Sequence, residues 1–453
     1  MKSSIRIASG QGFWGDLQTA PLDQVSKGPL DYIMMDFLAE VTMSIMQKQK
    51  RRNPEAGYAK DLIGYIDQIL PLCVERKIKI ITNGGGANPE ACAEAIVHLA
   101  EKKGITGLTI GIVSGDDILP RLDALREEGH ALANMESGEE LEPVKQRILS
   151  ANVYFGAWPI VEALGLGADI VVTGRTTDTG LTLAPMIHEF GWKADDWDKL
   201  ASGTVAGHIL ECGGQASGGN FSGDWRSVPN LAHLGFPIAE AYPNGDVVIT
   251  KHEKTGGLVS LQTVKEQLLY EIGDPRTYIT PDCIADFTTI QLADDGPHRV
   301  RMSSVKGKPA TEFLKVSMAY LDGYTAIGTV TYCWPDALEK AKAADQIVRT
   351  RLAEQGLTFE EIRTEFVGFN SSHGPLAVTH GDCNEVVLRI GVRDHNHKAV
   401  ESFTKELAPL ILTGPPGATG FAGGRPKAKE VVAYWPALIA KGVVRPSVTV
   451  RKV

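Results

Sequence analysis

Excess basic charge, paired cysteines and long apolar runs are all missing from this 453-residue chain, and each absence excludes a class of protein. Lys and Arg number 46 against 55 Asp and Glu, a formal charge of −9. The basic face of a nucleic-acid binder is therefore not expected, although a local cation cluster can sit in a protein of any net charge. The six cysteines, Cys73, Cys92, Cys212, Cys283, Cys333 and Cys383, form no CxxC pair. That spacing suits a reducing compartment and supplies neither a disulfide framework nor a zinc site. No stretch approaches the ~18–20 apolar residues of a membrane span, and MKSSIRIASGQGFWGD holds no apolar run of signal-peptide length. The expectation is a cytoplasmic protein with no membrane and no nucleic-acid partner.

What is present is an ordinary globular balance, 43 % apolar and 22 % charged. The length exceeds what one core usually fills. Ile5–Ser9 and Tyr32–Leu38 read as strands, and AEVTMSIMQKQKR as a helix. Leu62, Ile66, Ile69, Leu70 and Cys73 recur at helical spacing and predict a helix over Asp61–Arg76. KIKIIT then enters NGGGANP and a helix, Leu108–Val113 enters SGDD and a helix, and ADIVVTG enters RTTDTG and a helix. These β-loop-α units with near-continuous apolar strands predict an α/β fold, a parallel sheet with helices on both faces. After Trp225 alternating strands mix with helices, which predicts an α+β region with two-layer sheet and helix packing. The resulting division is an α/β domain over 1–228 with glycine-rich ligand loops, an α+β domain over 229–365, and a C-terminal α/β segment over 366–453 packed on them.

Ligands in a parallel α/β sheet bind outside the carboxyl ends of its strands, and here five β-α junctions are polar or glycine-rich. They carry Gln11 with Asp16, Asp36 with Glu40, Asn83 with Gly84, Gly85 and Gly86, Ser114-Gly-Asp-Asp, and Arg175 with Asp178. The three glycines allow backbone to approach a ligand, and Pro89 at a first helical turn leaves N–H groups for an anion; a tight turn capped by Asn88 is the plainer reading. Neither GxGxxG nor a P-loop is present. SGDD either binds a cation or caps the next helix. Asp36 stands inside a predicted apolar strand, where a carboxylate needs a partner. Arg175 either clamps a substrate carboxylate or pairs with Asp178 or Asp169.

The stretch GHILECGGQASGGNFSGDW, residues 207–225, gathers reactive side chains on glycine-rich backbone and reads as an active-site loop, with SGGNFSG as a mobile lid. His208 and Glu211 are candidates for proton exchange. Cys212 is a candidate nucleophile or an inert packed thiol. Gln215 and Asn220 are candidate hydrogen-bond donors to substrate.

Several long blocks resemble the acyclic terpene utilisation AtuA family: GFWGD with DYIMMDFLAEVTM, TNGGGANP, YFGAWPIVEALGLGADIVVTGRTTDTGLTLAPMIHEFGW and GHILECGGQASGGNFS. The resemblance implies catabolism of branched terpenoids such as citronellol and geraniol, whose acids are degraded as CoA thioesters. It transfers no catalytic residue. The expected partner is a small-molecule acid or an acyl-CoA, with a CoA moiety carried on the substrate, no bound cofactor and a homo-oligomeric state. The reading is a lyase of the hydratase or dehydratase kind, with Glu211 and His208 exchanging protons, Asp36 assisting, and Arg175 and Asn83–Gly86 holding anionic groups. An acyl- or CoA-transferring enzyme with Cys212 as nucleophile, a non-catalytic acyl-CoA-binding or scaffold subunit, and a divalent-metal variant using Asp16, Asp36 and Asp116 stand as alternatives.

Overall fold

Short, wholly apolar runs set the frame of the fold. A computed structural model describes residues 2–378, 382–420 and 424–453. The chain forms two compact units, Met1–Ala319 with Tyr434–Val453, and Tyr320–Ala433.

The first unit is built on a ten-stranded mixed sheet. Its strands are β1 (Ile5–Gln11), β2 (Tyr32–Met35), β3 (Lys79–Thr82), β4 (Thr109–Ser114), β5 (Ile170–Thr173), β6 (Ile238–Ala241), β7 (Val247–Thr250), β8 (Gln291–Asp294), β9 (Val300–Ser303) and β10 (Ser447–Lys452). Their spatial order is β8-β9-β7-β6-β1-β2-β3-β5-β4-β10. The five consecutive strands from β1 to β4 in that order are parallel, in registers such as Ile33 with Ile80 and Ile80 with Ile170. The parallel sheet expected from the β-loop-α units is thus its centre, flanked by antiparallel strands at both sides. Strand residues alternate between two hydrophobic clusters, as a period of two requires. Ile5, Ile7, Tyr32 and Met34 join one with the helices Gly180–Phe190 and Trp197–Leu210. Ile33, Met35, Ile80 and Val172 join the other with the helices Lys60–Arg76 and Pro89–Lys102.

The expected boundary near 228 falls between two strands of this one sheet, because β6 pairs directly with β1. The boundary near 365 falls inside the strand Glu361–Val367. In the second unit, Glu385–Asp394 pairs antiparallel with Tyr324–Cys333 and with Glu361–Val367. Val386, Leu388, Ile390 and Val392 pack with Ala341, Ala344 and Val348 of the helix Ala337–Glu354. The glycine-rich stretch 414–427 lies partly outside the described residues.

Two local expectations are corrected. Asp36 is not inside a strand, since β2 ends at Met35; it lies in the connection to the helix Glu40–Arg52. Residues 207–210 are not loop but the last turn of the helix Trp197–Leu210. Glycine in that helix is a close-packing device: a Cβ at Gly207 would lie 2.5 Å from the Thr179 carbonyl oxygen, and one at Gly203 2.5 Å from Leu183. The following turn, Gly213–Ser217, is largely buried against Gly12 and Phe236. Among the described residues no helix is long and apolar enough to cross a membrane.

Candidate active site

Parallel strands end on one edge, so Gln11, Asp36, Asn83, Asp116 and Arg175 are brought to the same rim by topology alone. Each is then fixed by local hydrogen bonds. The Asn83 carbonyl accepts from the Phe37 N–H at 2.8 Å, and its amide donates to Asp36 Oδ1 at 2.6 Å. Leu38 N–H donates to the same carboxylate at 3.0 Å. Burial raises the Asp36 carboxyl to about 6, although Asn83 and Arg175 stabilise its charge.

Arg175, 2 % exposed, is the hub of the rim. Its Nη1 donates to the Leu38 carbonyl and to Asp178 Oδ1, both at 3.1 Å, and its Nη2 donates to the Tyr154 hydroxyl at 2.6 Å. The guanidinium carbon lies 4.1 Å from the Tyr154 ring centre. Asp116 receives the Arg175 backbone N–H at 2.9 Å and the Asn152 amide at 2.8 Å, and burial pushes its carboxyl up to about 7. Arg175 pairs with Asp178, one of the two carboxylates the sequence offers it. Its Nε is buried without a partner.

His208, 1 % exposed, sits between two oxygens. Nδ1 is 2.9 Å from Glu211 Oε1 and Nε2 is 2.9 Å from the Gln267 backbone carbonyl. A carbonyl only accepts, so Nε2 carries a hydrogen. Nδ1 and a carboxylate oxygen at 2.9 Å then need a second proton between them. The pair is an imidazolium with a carboxylate, or an imidazole with a carboxylic acid. Burial opposes charge on His208, but the Glu211 charge and hydrogen bond raise it overall. The Gln267 amide returns a bond to the His208 carbonyl at 2.9 Å, and Tyr278 packs edge-on to the ring at 5.5 Å.

A cavity of about 410 Å³ opens beside this cluster, with Glu40, Tyr154, Arg175, Asp178, Tyr278 and Lys315 in its wall. Asp178 is 31 % exposed there. Removal from water raises its carboxyl well above the ordinary value; Arg175 opposes, and the charges of Asp36, Glu211 and Glu40 add to the rise. Tyr154 donates to Glu40 Oε1 at 3.2 Å, and Lys315 Nζ stands 5.1 Å from the Tyr154 ring centre. Burial, with Arg175 opposing, lifts the Tyr154 phenol to about 12, so it stays protonated. Hollows of about 360 and 350 Å³ near Thr325 and Lys79 gather no such cluster.

The site therefore brings together Asp36, Asn83, Arg175, Asp178, His208 and Glu211. Gly84, Gly85 and Gly86 do not form an anion cradle. A Cβ on them would meet Leu62, the Thr173 carbonyl and Met46 Sδ at 2.8, 2.6 and 2.1 Å, so they serve packing. The N–H groups of Gly84, Gly86, Ala87 and Asn88 are bonded within the chain. Asn88 does not cap its helix either; its amide donates to the Pro54 and Ala56 carbonyls. Asp117, by contrast, accepts from Leu119 N–H at 3.0 Å, as a cap does. Asn220 is exposed at φ +55°, away from these bonds. Gln215 is half-buried in the turn, where its backbone N–H bonds Cys212. Cys212 is half-buried, and burial followed by the Glu211 charge pushes its thiol up to about 12. No group of three or more His, Cys, Asp or Glu among the described residues is placed to hold a metal ion.

Tyr154, Lys315, Tyr278 and Gln267 escaped sequence reading. Tyr154 follows the strand Ile148–Val153, which Ser150 and Asn152 disguise by interrupting its apolar run. A tyrosine directly after a strand and two residues before Gly156 was the available signal.

The fold and rim define a mixed α/β protein whose parallel strand ends gather acid, base and hydroxyl groups around one cavity. Residues 5–450 match the acyclic terpene utilisation family protein AtuA, and the chain belongs to that family. Neither a curated protein nor a solved structure matches it.

Proposed function

We propose that the cavity is the active site of a hydro-lyase acting on a branched carboxylic acid or its CoA thioester in terpenoid catabolism. One observation carries the reading: Asp178, whose carboxyl burial raises well above its ordinary value, shares the cavity wall with Tyr154 and with Glu40, whose carboxyl is held below its own. Dehydration then balances without a redox cofactor. The Glu40 carboxylate takes the α-proton, the C–O bond breaks as Asp178 protonates the departing hydroxyl, and the C–H electron pair becomes the new C=C bond. The Tyr154 hydroxyl, oriented by Arg175, donates to the enolate-like oxygen. Lys315 attracts a substrate carboxylate. The proton held between Glu211 and His208 resupplies Asp178, and the proton taken by Glu40 leaves to water, from which the pair regains its own; this gives those two residues their place in the cycle.

Cys212 is not favoured as a nucleophile, because a half-buried thiol pushed up to about 12 contributes little thiolate at neutral pH. The test is a panel of branched 3-hydroxy and 2,3-unsaturated acids, free and as CoA thioesters, incubated in D2O and followed by mass spectrometry. Water addition or loss with deuterium at the α-carbon is expected. Covalent acyl-protein on Cys212 without hydration would favour transfer chemistry, and no turnover of any member would favour a binding subunit.

A further inference from the structure

A second groove of about 400 Å³ lies against the reaction cavity. The two share Pro281, and residues 310–315 line them in alternation: Ala310 and Leu314 face this groove, while Thr311, Phe313 and Lys315 face the other. That alternation is the period of extended chain, so one thin wall separates them. Two half-exposed indoles, Trp158 and Trp197, line the groove with Lys441 and Arg445. Arg445 is exposed and makes no ion pair among the described residues. Lys441 donates to the Pro281 carbonyl at 2.8 Å, at the shared wall. Asp282, the carboxylate of the groove, is 4 % exposed and takes the Ala157 N–H at 3.0 Å. Asp282 acts on Lys441 from within the groove, and Glu312 acts on it from outside the lining.

We infer that this groove is a nucleotide site that takes the adenine-nucleotide end of a CoA thioester while the acyl end occupies the neighbouring cavity. Two indoles in the lining with an unpaired guanidinium match a ligand that joins a flat ring to phosphates. An aliphatic occupant would make no use of Arg445, and a bare anion would make no use of the tryptophans. The inference deepens the proposed function by choosing the thioester over the free acid, and rests on that reading only for the identity of the acyl group.

Isothermal titration of the intact protein with CoA, adenosine 3′,5′-bisphosphate, adenosine and inorganic phosphate tests it. CoA and the bisphosphate should bind, adenosine more weakly, and phosphate not measurably. Arg445→Ala and Trp197→Leu should each weaken bisphosphate binding about tenfold. Arg445 is on the surface, so its variant carries the test should Trp197→Leu fail to fold. Absence of nucleotide binding, or binding that Arg445→Ala leaves unaltered, overturns the site. The titration needs no turnover: its failure leaves acid–base chemistry on free acids standing, and failed turnover with retained nucleotide binding leaves the groove standing.

Discussion

His208 Nδ1 stands 2.9 Å from Glu211 Oε1 with a proton held between them, because the opposite ring nitrogen is committed to a carbonyl oxygen. The pair should therefore titrate as a unit. In the native protein His208 is expected to hold its second proton above the ordinary 6.5, while in Glu211→Gln burial alone should bring it below that value. A raised histidine contributes stability that is complete below pH 6.5 and lost as pH climbs through the folded value. NMR titration of His208 in both proteins checks this. A native His208 that titrates below 6.5 contradicts the shared proton.

Arg175 should be the least replaceable side chain of the rim. Arg175→Met leaves Asp178, Tyr154 and the Leu38 carbonyl without their donor, and should cost about 3–5 kcal/mol, because each buried polar group left unsatisfied costs about 1–3 kcal/mol. Lysine cannot reproduce the fork and should recover only part of the loss. Urea unfolding measures both.

Helical glycines should respond with opposite signs. Gly207→Ala drives a methyl into Thr179 and should destabilise by about 1–3 kcal/mol. Gly64→Ala, in the helix Lys60–Arg76 with nothing within 4 Å, should stabilise by about 0.5–1 kcal/mol. Thermal melts of the two variants separate close packing from flexibility as the reason for the glycines.

Asp116 predicts a pH effect of known sign. Its folded carboxyl is raised from 3.8 to about 7, so the native state keeps a proton that the unfolded chain has lost. Stability from this group falls as pH rises between those values. Asp116→Asn can still accept the Arg175 and Asn152 N–H groups through one oxygen. Its stability relative to the native protein should rise with pH, reaching about 1–3 kcal/mol near pH 8. An advantage that shrinks with pH would contradict the buried carboxyl.

The rim was legible because it follows from topology. Apolar runs such as YIMM, KIIT and IVVT could only be buried parallel strands, and the polar residues after them had to share an edge. Asp36, Asn83, Arg175 and Asp178 were found that way. The glycines misled, since Gly84 to Gly86 and Gly207 answer to Met46, Thr173 and Thr179, neighbours far away in sequence. Lys315 and Tyr278 reach the cavity from strands, and Tyr154 from just past one, whose pairing no local pattern states. The continuation of the sheet through β6 to β9 was hidden for the same reason: antiparallel additions to a parallel sheet leave no mark on local composition.

The central claim is that Asp178 donates a proton inside the cavity. Asp178→Asn keeps size and polarity but has no acidic proton, and should lower kcat for water loss by about 10²–10⁴ while KM changes little. Steady-state kinetics on the branched 3-hydroxyacyl thioester, with the native protein and this variant side by side, is the most direct measurement. Loss in kcat with KM held is the predicted result; an unchanged kcat in a folded variant contradicts the account.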